Sequence, residues 1–276
     1  MSLKELRRRI SGIKSTQKIT AAMRMVASVK LRRLQDRIHF GNDFLARLNA
    51  VGQSLGQIHH DTDHSSPWQS SEGNYDLVII FGAEKGLCGS FHSNLIRQAN
   101  LIIEKKPSAK LLIFGNKAMD TLKVHQAKLL PIHVATAKPN LQTFAGLVKA
   151  IEPLKIQREI ASVFTVGATF HSMLSQEFYH KMLCPFNFDD SPTHDTAIFE
   201  PSADIFLPYF FTQYLSAQLH QAWLETLASE MASRMIAMDN ATRNAKEMIT
   251  DLSLIYNRTR QAKITTELIE IIAGAQ

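Results

Sequence analysis

No stretch of this sequence holds eighteen consecutive apolar residues, so none reads as a membrane-spanning helix. The opening MSLKELRRR also lacks the uninterrupted apolar segment of a secretory signal, and the expectation is a chain on the reducing side of a membrane with no span of its own. Cysteine is scarce: Cys88 and Cys184 give neither a disulfide framework nor a zinc spacing, and both are expected as reduced thiols. Proline is missing between Leu3 and Ile58, and both proline and glycine are missing between Tyr209 and Ala273. These two gaps exclude turns from both ends of the chain. Aromatic residues are nearly missing from the first forty positions, which argues against stacking of bases there.

Acidic residues are rare in the same forty positions. Eleven basic residues stand against Glu5 and Asp36, a surplus larger than the +6 of the whole chain. From Ala203 onward the balance is slightly acidic, with six basic residues against eight acidic ones. The two ends can therefore attract one another, although exposed pairs contribute little each. The remaining positive charge needs an acidic partner or water.

What is present at the ends is helical periodicity. From Leu3 to Ile58 a three-four spacing runs through Leu6, Ile10 and Ile13, then Gln17, Thr20 and Arg24, and resumes at Ala27, Leu31, Leu34, Ile38, Leu45, Leu48 and Leu55. Between Gln17 and Arg24 the apolar residues move to another stripe, Ile19, Met23 and Val26. Either a second partner touches that stripe, or the coiled-coil register shifts locally. The stretch from Tyr209 to Ala273 is dominated by helix formers and would be on the order of 100 Å long as one helix. Its apolar positions wander around the axis, so it is expected to pair antiparallel with the first helix over part of its length and to meet something else over the remainder.

The middle is different in kind. After a polar linker closed by Pro67 and Gly73, short β-branched runs (YDLVIIFG, KLLIFG, LLPIHVAT, ASVFTVGATF, MLCPF) alternate with helical segments (SNLIRQANLIIEKK, KAMDTLKVHQ, LQTFAGLVKAIEPLK). Such alternation predicts a small α/β domain with a largely parallel sheet. The expected organisation is an N-terminal helix over 1–58, a linker over 59–74, the α/β domain over 75–200 and a C-terminal helix over 201–276.

Short catalytic motifs in the chain do not sit in the context they need. Gly52-Gln53-Ser54-Leu55-Gly56 matches the nucleophile-elbow pattern, but a helix and no strand precedes it. His59, His60, Asp61, Asp63 and His64 offer metal-ligating atoms in a linker, where a hydrated loop is the expectation. The turn Gly82 to Ser90 follows the first strand but fits neither phosphate-binding glycine pattern, so a tight turn with Glu84 and Lys85 at a charged tip is expected. No catalytic residue, cofactor site or metal site is predicted. The basic first helix leaves non-specific nucleic-acid binding as the physical alternative.

Three blocks then resemble one known family, the gamma subunits of F-type rotary ATP synthases: LKELRRRISGIKSTQKITAAMRMVASVKLRRLQ, EKGLCGSFHSN, and SEMASRMIAMDNATRNAKEMITDLSLIYNRTRQAKITTELIEIIAGA. The resemblance implies an antiparallel coiled coil of the two terminal helices with an inserted Rossmann-like α/β domain. It implies a non-catalytic rotor inside a ring of alpha and beta subunits, in company with an epsilon subunit and a membrane ring of c subunits, and no nucleic acid. The implied location is peripheral, on the cytoplasmic face of a bacterial inner membrane, with the matrix face of a mitochondrion as the alternative.

Site residues follow from the same resemblance. Met23, Arg234, Gln261, Thr265 and Glu267 fall on positions that meet the beta subunits' catch loops or hold that region together. Glu84, Lys85 and Cys88 lie in the turn near the beta subunits' acidic loops. Phe199 and Glu200, followed by Pro201, resemble the foot that meets the c-ring, with phenylalanine in place of the usual tyrosine. Glu84, Lys85 and His92 stand where the family usually has aspartate, arginine and, in many members, asparagine.

Overall fold

The computed structural model describes residues 2–59, 67–130, 139–186 and 203–274. Helix α1 (Leu3–His59) is continuous. Its start is a capping box: the Glu5 amide donates to Ser2 Oγ at 3.2 Å, and the Ser2 amide donates to Glu5 Oε2 at 2.8 Å. The first strand, β1 (Tyr75–Phe81), leads into α2 (Phe91–Lys105), and β2 (Lys110–Phe114) into α3 (Asn116–Thr121), which a 3-10 turn over Leu122–Lys128 extends. Helix α4 (Leu141–Ile156) opens on its own capping box between Asn140 and Thr143. A hairpin of β3 (Ile160–Phe170) and β4 (Gln176–Cys184) follows, and α5 (Ala203–Ala273) ends the chain.

The strands form one sheet in the order β2-β1-β3-β4. Strand β1 pairs parallel with both neighbours, and β4 runs antiparallel at the edge. Strand β4 is longer than its apolar tail, MLC, predicts. Its first residues, Gln176 to Lys181, mix polar side chains with Phe178, which packs against the second core cluster, and Tyr179, while the backbone pairs with β3. Most of the LLPIHVAT segment, residues 131–136, lies outside the described residues. Its first two residues do join the sheet edge: Leu129 bridges parallel to Leu111, and the Leu130 amide donates to the Leu111 carbonyl at 2.9 Å.

Alternation along β1 divides the core between two faces. Leu77, Ile79 and Phe81 share a cluster with Phe144, Ile151, Phe211 and Leu215, so α4 and α5 cover that side. Val78 and Ile80 share the other with Phe91, Leu95, Ala99 and Ala118 of α2 and α3. A strand buried on both sides explains the unbroken apolar run LVIIF.

The chain groups into two compact units, Met1–Val29 with Arg234–Gln276 and Lys30–Ser233. In the larger unit, Leu31 and Leu34 of α1 pack with Leu224, Ala228, Met231 and Ala232 of α5. No described helix is long and apolar enough to cross a membrane.

Candidate functional site

In the smaller unit the two long helices meet where the sequence pattern weakens. Leu6 and Ala27 of α1 and Met238 and Ala245 of α5 are buried and Ile10 and Ile13 are half-buried, but the seam positions between Ile13 and Ala27 are the polar Gln17, Thr20 and Arg24. The Oγ1 atoms of Thr20 and Thr242 lie 2.8 Å apart, and Thr20 is only 8 % exposed. One turn on, Arg24 Nη1 donates to Asp239 Oδ1 at 2.9 Å, and Arg243 holds the other carboxylate oxygen. The seam at Gln17–Arg24 is thus closed by hydrogen bonds and an ion pair. Large apolar side chains point away from it: Ile19, Met25, Val26 and Val29 are between 55 and 61 % exposed.

Because Thr20 stands level with Thr242 in an antiparallel pair, Leu3, seventeen residues earlier, stands level with about residue 259. Helix α5 continues beyond that level for roughly 20 Å, and every described residue from Arg260 to Gly274 is exposed. Among them Ile264, Leu268, Ile269, Ile271 and Ile272 are apolar.

The five residues grouped as a catch region fall at two levels. Met23, half-buried, lies beside Arg24 near the level of Asp239, and Arg234 is buried at 9 % exposure a turn and a half further along α5. Gln261, Thr265 and Glu267 are exposed and lie together on the last turns, about 40 Å along the helix from Arg234. There Thr265 Oγ1 donates to the Gln261 carbonyl at 3.0 Å, and Lys263 pairs with Glu267 at 3.4 Å.

The Gly82–Ser90 turn packs on the α2 and α3 side of the sheet. Gly82 is required by packing: a Cβ there would lie 2.1 Å from the Cβ of Ala118. Glu84 turns back onto α3, where its carboxylate accepts from the Asn116 backbone amide at 3.3 Å and from its side-chain amide at 2.5 Å. An anion at that helix N-terminus satisfies donors that the helix cannot. Lys85, Gly86 and Leu87 form the exposed tip, with Leu87 at φ 63° and Gly89 at φ 58°. Cys88 is buried against the α2 side of the core, with its thiol 3.9 Å from the Lys85 carbonyl. The charged tip is therefore Lys85, while Glu84 and Cys88 hold it in place.

His92, just inside α2, lies 3.0 Å from Thr121 Oγ1 through Nε2. Thr121 already donates to the Lys117 carbonyl, so Nε2 carries the hydrogen. Burial, and then the nearby Lys117 charge, push the imidazole below its usual range and favour this neutral form.

The other motifs resolve structurally. Gly52 to Gly56 is part of α1, and Ser54 Oγ donates to the Ala50 carbonyl at 3.2 Å, a helical back-bond with no elbow. His60 to His64 lie outside the described residues, and so do Phe199, Glu200 and Pro201. Among the described residues, no three His, Cys, Asp or Glu side chains group to hold a metal. Two features went unread in the sequence: the Ser2–Glu5 capping box, whose S-x-x-E signature was available, and the Arg24–Asp239 pair, which spans 215 positions and needs the fold.

A family model described as ATP synthase matches residues 2–276. The ATP synthase gamma chain of Maricaulis maris is 37 % identical over 291 residues, covering 100 % of this chain and 99 % of its own. That of Geotalea daltonii is 34 % identical, covering 100 % and 98 %. Among solved structures, a chain of the central stalk and c-ring of the Tetrahymena thermophila mitochondrial ATP synthase superposes with a TM-score of 0.62 at 26 % identity, covering 81 % of this chain and 99 % of its own. A chain of the Euglena gracilis mitochondrial ATP synthase rotor shares the fold, with a TM-score of 0.68 at 18 % identity over 95 % and 98 % of the two chains.

Proposed function

The chain belongs to the ATP synthase gamma-chain family, and on that premise we propose that it is a rotor that turns inside a ring of alpha and beta subunits and couples their ATP chemistry to proton flow through a c-ring. The observation that carries this reading is the end of α5. Five large apolar residues there are between 48 and 67 % exposed within a fifteen-residue segment whose residues are all exposed. Leaving such surface in water costs about 25 cal/mol per Å². A surrounding sleeve of other subunits removes that cost.

In this reading residues 1–58 and 201–276 supply the coiled coil, and 75–200 supply the inserted domain. Gln261, Thr265 and Glu267 meet the beta subunits at one level, and Met23 and Arg234 serve at the other. Lys85 faces acidic loops of the beta subunits. Phe199 and Glu200 belong to the c-ring foot, next to an epsilon subunit, and the complex sits peripherally on the cytoplasmic face of a bacterial inner membrane. Nucleotide hydrolysis resides in the ring, and this chain regulates it by imposing asymmetry as it turns.

Co-purification of the chain with alpha and beta subunits, with a Thr265→Cys variant cross-linking to a beta subunit, is the expected result. A chain that hydrolyses ATP alone, or that assembles with Thr265→Cys reactive only toward solvent, contradicts the reading.

A further inference from the structure

Over residues 16–27 the burial pattern runs against the hydrophobic effect. The seam positions of α1 are Gln17, Thr20, Arg24 and Ala27, while the positions one residue earlier are Thr16, Ile19, Met23 and Val26. One residue is about 100° around a helix. Turning this end of α1 by that angle would put isoleucine, methionine and valine against α5 in place of glutamine, threonine, arginine and alanine. The structure adopts the other phase at both ends of this stretch: Thr20 and Ala27 are buried, while Ile19 and Val26 stand 60 % and 56 % exposed, and between them Met23 is half-buried and Arg24 reaches Asp239 from the exposed rim of the seam. Something other than apolar burial selects it.

We propose that Thr20, Arg24, Asp239 and Thr242 form a phase lock that holds this end of α1 turned so that Ile19 and Val26 face outward and Met23 lies at the rim of the seam. The hydrogen-bond accounting supports the assignment. Thr242 can donate to the Met238 carbonyl at 2.7 Å while its oxygen accepts from Thr20, or Thr20 can donate to the Gln17 carbonyl at 3.1 Å while accepting from Thr242. Both arrangements satisfy the two hydroxyls within the seam. In the competing phase the Thr20 hydroxyl loses its cross-helix partner, and the carboxylate of Asp239, only 31 % exposed, loses the Arg24 guanidinium and keeps Arg243 alone. A polar residue in a helical seam gives up stability for a defined arrangement. Here the arrangement gained turns Ile19 and Val26 outward. These four are positioning residues, and their use in coupling rests on the rotor reading above.

The test compares thiol reactivity at two adjacent positions of the full chain, Val26→Cys and Ala27→Cys, with both native cysteines replaced by serine. With the lock intact, the position-26 thiol reacts far faster than the position-27 thiol. Combining Thr20→Ala with Asp239→Asn is expected to slow position 26 and speed position 27, so that their rate ratio falls toward unity. Thr20→Ser with Thr242→Ser keeps both hydroxyls and should preserve the ratio. An unchanged ratio in the lock variant overturns the proposal, and so does a rise of both rates together, which would mean that the helices separate without turning. In the assembled complex the lock variant should hydrolyse ATP with a loss of protons pumped per ATP. If the thiol ratio falls while pumping per ATP is kept, the lock stands and the rotor's use of the outward-facing side chains is what fails.

Discussion

Gly82 shows how a missing side chain can set a turn. Its neighbour across the turn, Ala118, sits on α3 so close to the end of β1 that a Cβ at position 82 would overlap it, at 2.1 Å. Gly82→Ala must push α3 away or bend the strand end, and overpacking of this kind costs roughly 1–3 kcal/mol. Thermal unfolding should show a lower Tm for this variant, whereas Gly86→Ala, where an added Cβ meets nothing within 4 Å, should leave it nearly unchanged. His220 is a second residue with a measurable signature. It packs against the rings of Phe144 and Trp223, which also touch each other, and burial, then the Arg37 charge, lower its pKa below the usual 6.5. The unfolded chain therefore binds the proton more readily. The stability that comes from keeping this ring neutral is present above about pH 6.5 and is lost as pH falls through that value toward the folded pKa. Glu225, whose pKa burial raises, acts in the opposite direction at lower pH, so the two are separated by substitution. His220→Gln should flatten the fall in urea midpoint between about pH 7 and 5.5; an unaltered slope would assign that fall to other groups.

At the scale of elements, the helices and the central strands were legible because they follow one period throughout. The seam read from Leu6 to Leu55 falls on residues that are buried or half-buried in α1 except at Arg24, which is exposed, and β1 shows its burial on both faces as an unbroken apolar run. Legibility failed where partners lie far apart in sequence or where the backbone carries the structure. Strand β4 breaks its apolar pattern with Gln176, Glu177, His180 and Lys181 around Phe178 and Tyr179, and Glu84, read as part of an outward charged tip, is bound to Asn116 thirty-two positions away. The level of the catch residues was equally hidden, since a list of positions on a helix does not say where its partner helix ends. The end of α5 carries the prediction proper to this scale. Replacing Ile269 and Ile272 by Ser removes apolar surface that is 60 % and 67 % exposed, so far-ultraviolet circular dichroism of the isolated protein should be nearly unchanged and its self-association reduced. Assembly with alpha and beta subunits should weaken in the same variant. A loss of helix instead would mean that the segment is held by contacts within the chain.

At the scale of the whole molecule, charge and surface agree. Seven of the eleven basic residues of the first forty, Lys4 to Arg24, lie in the smaller unit on the same helix as the exposed Ile19, Met25, Val26 and Val29, so that unit presents positive charge and greasy side chains together. A protein working alone would gain by burying the second and would not need the first. A chain enclosed by acidic, apolar-lined neighbours needs both. The central claim is that such enclosure serves rotation, and one measurement addresses it directly. With the alpha–beta ring fixed to a surface and a bead attached through Val124→Cys, a position 89 % exposed on the larger unit, ATP should drive the bead in one direction in discrete steps. A ring that hydrolyses ATP at full rate while the bead only fluctuates about a fixed angle would contradict the account.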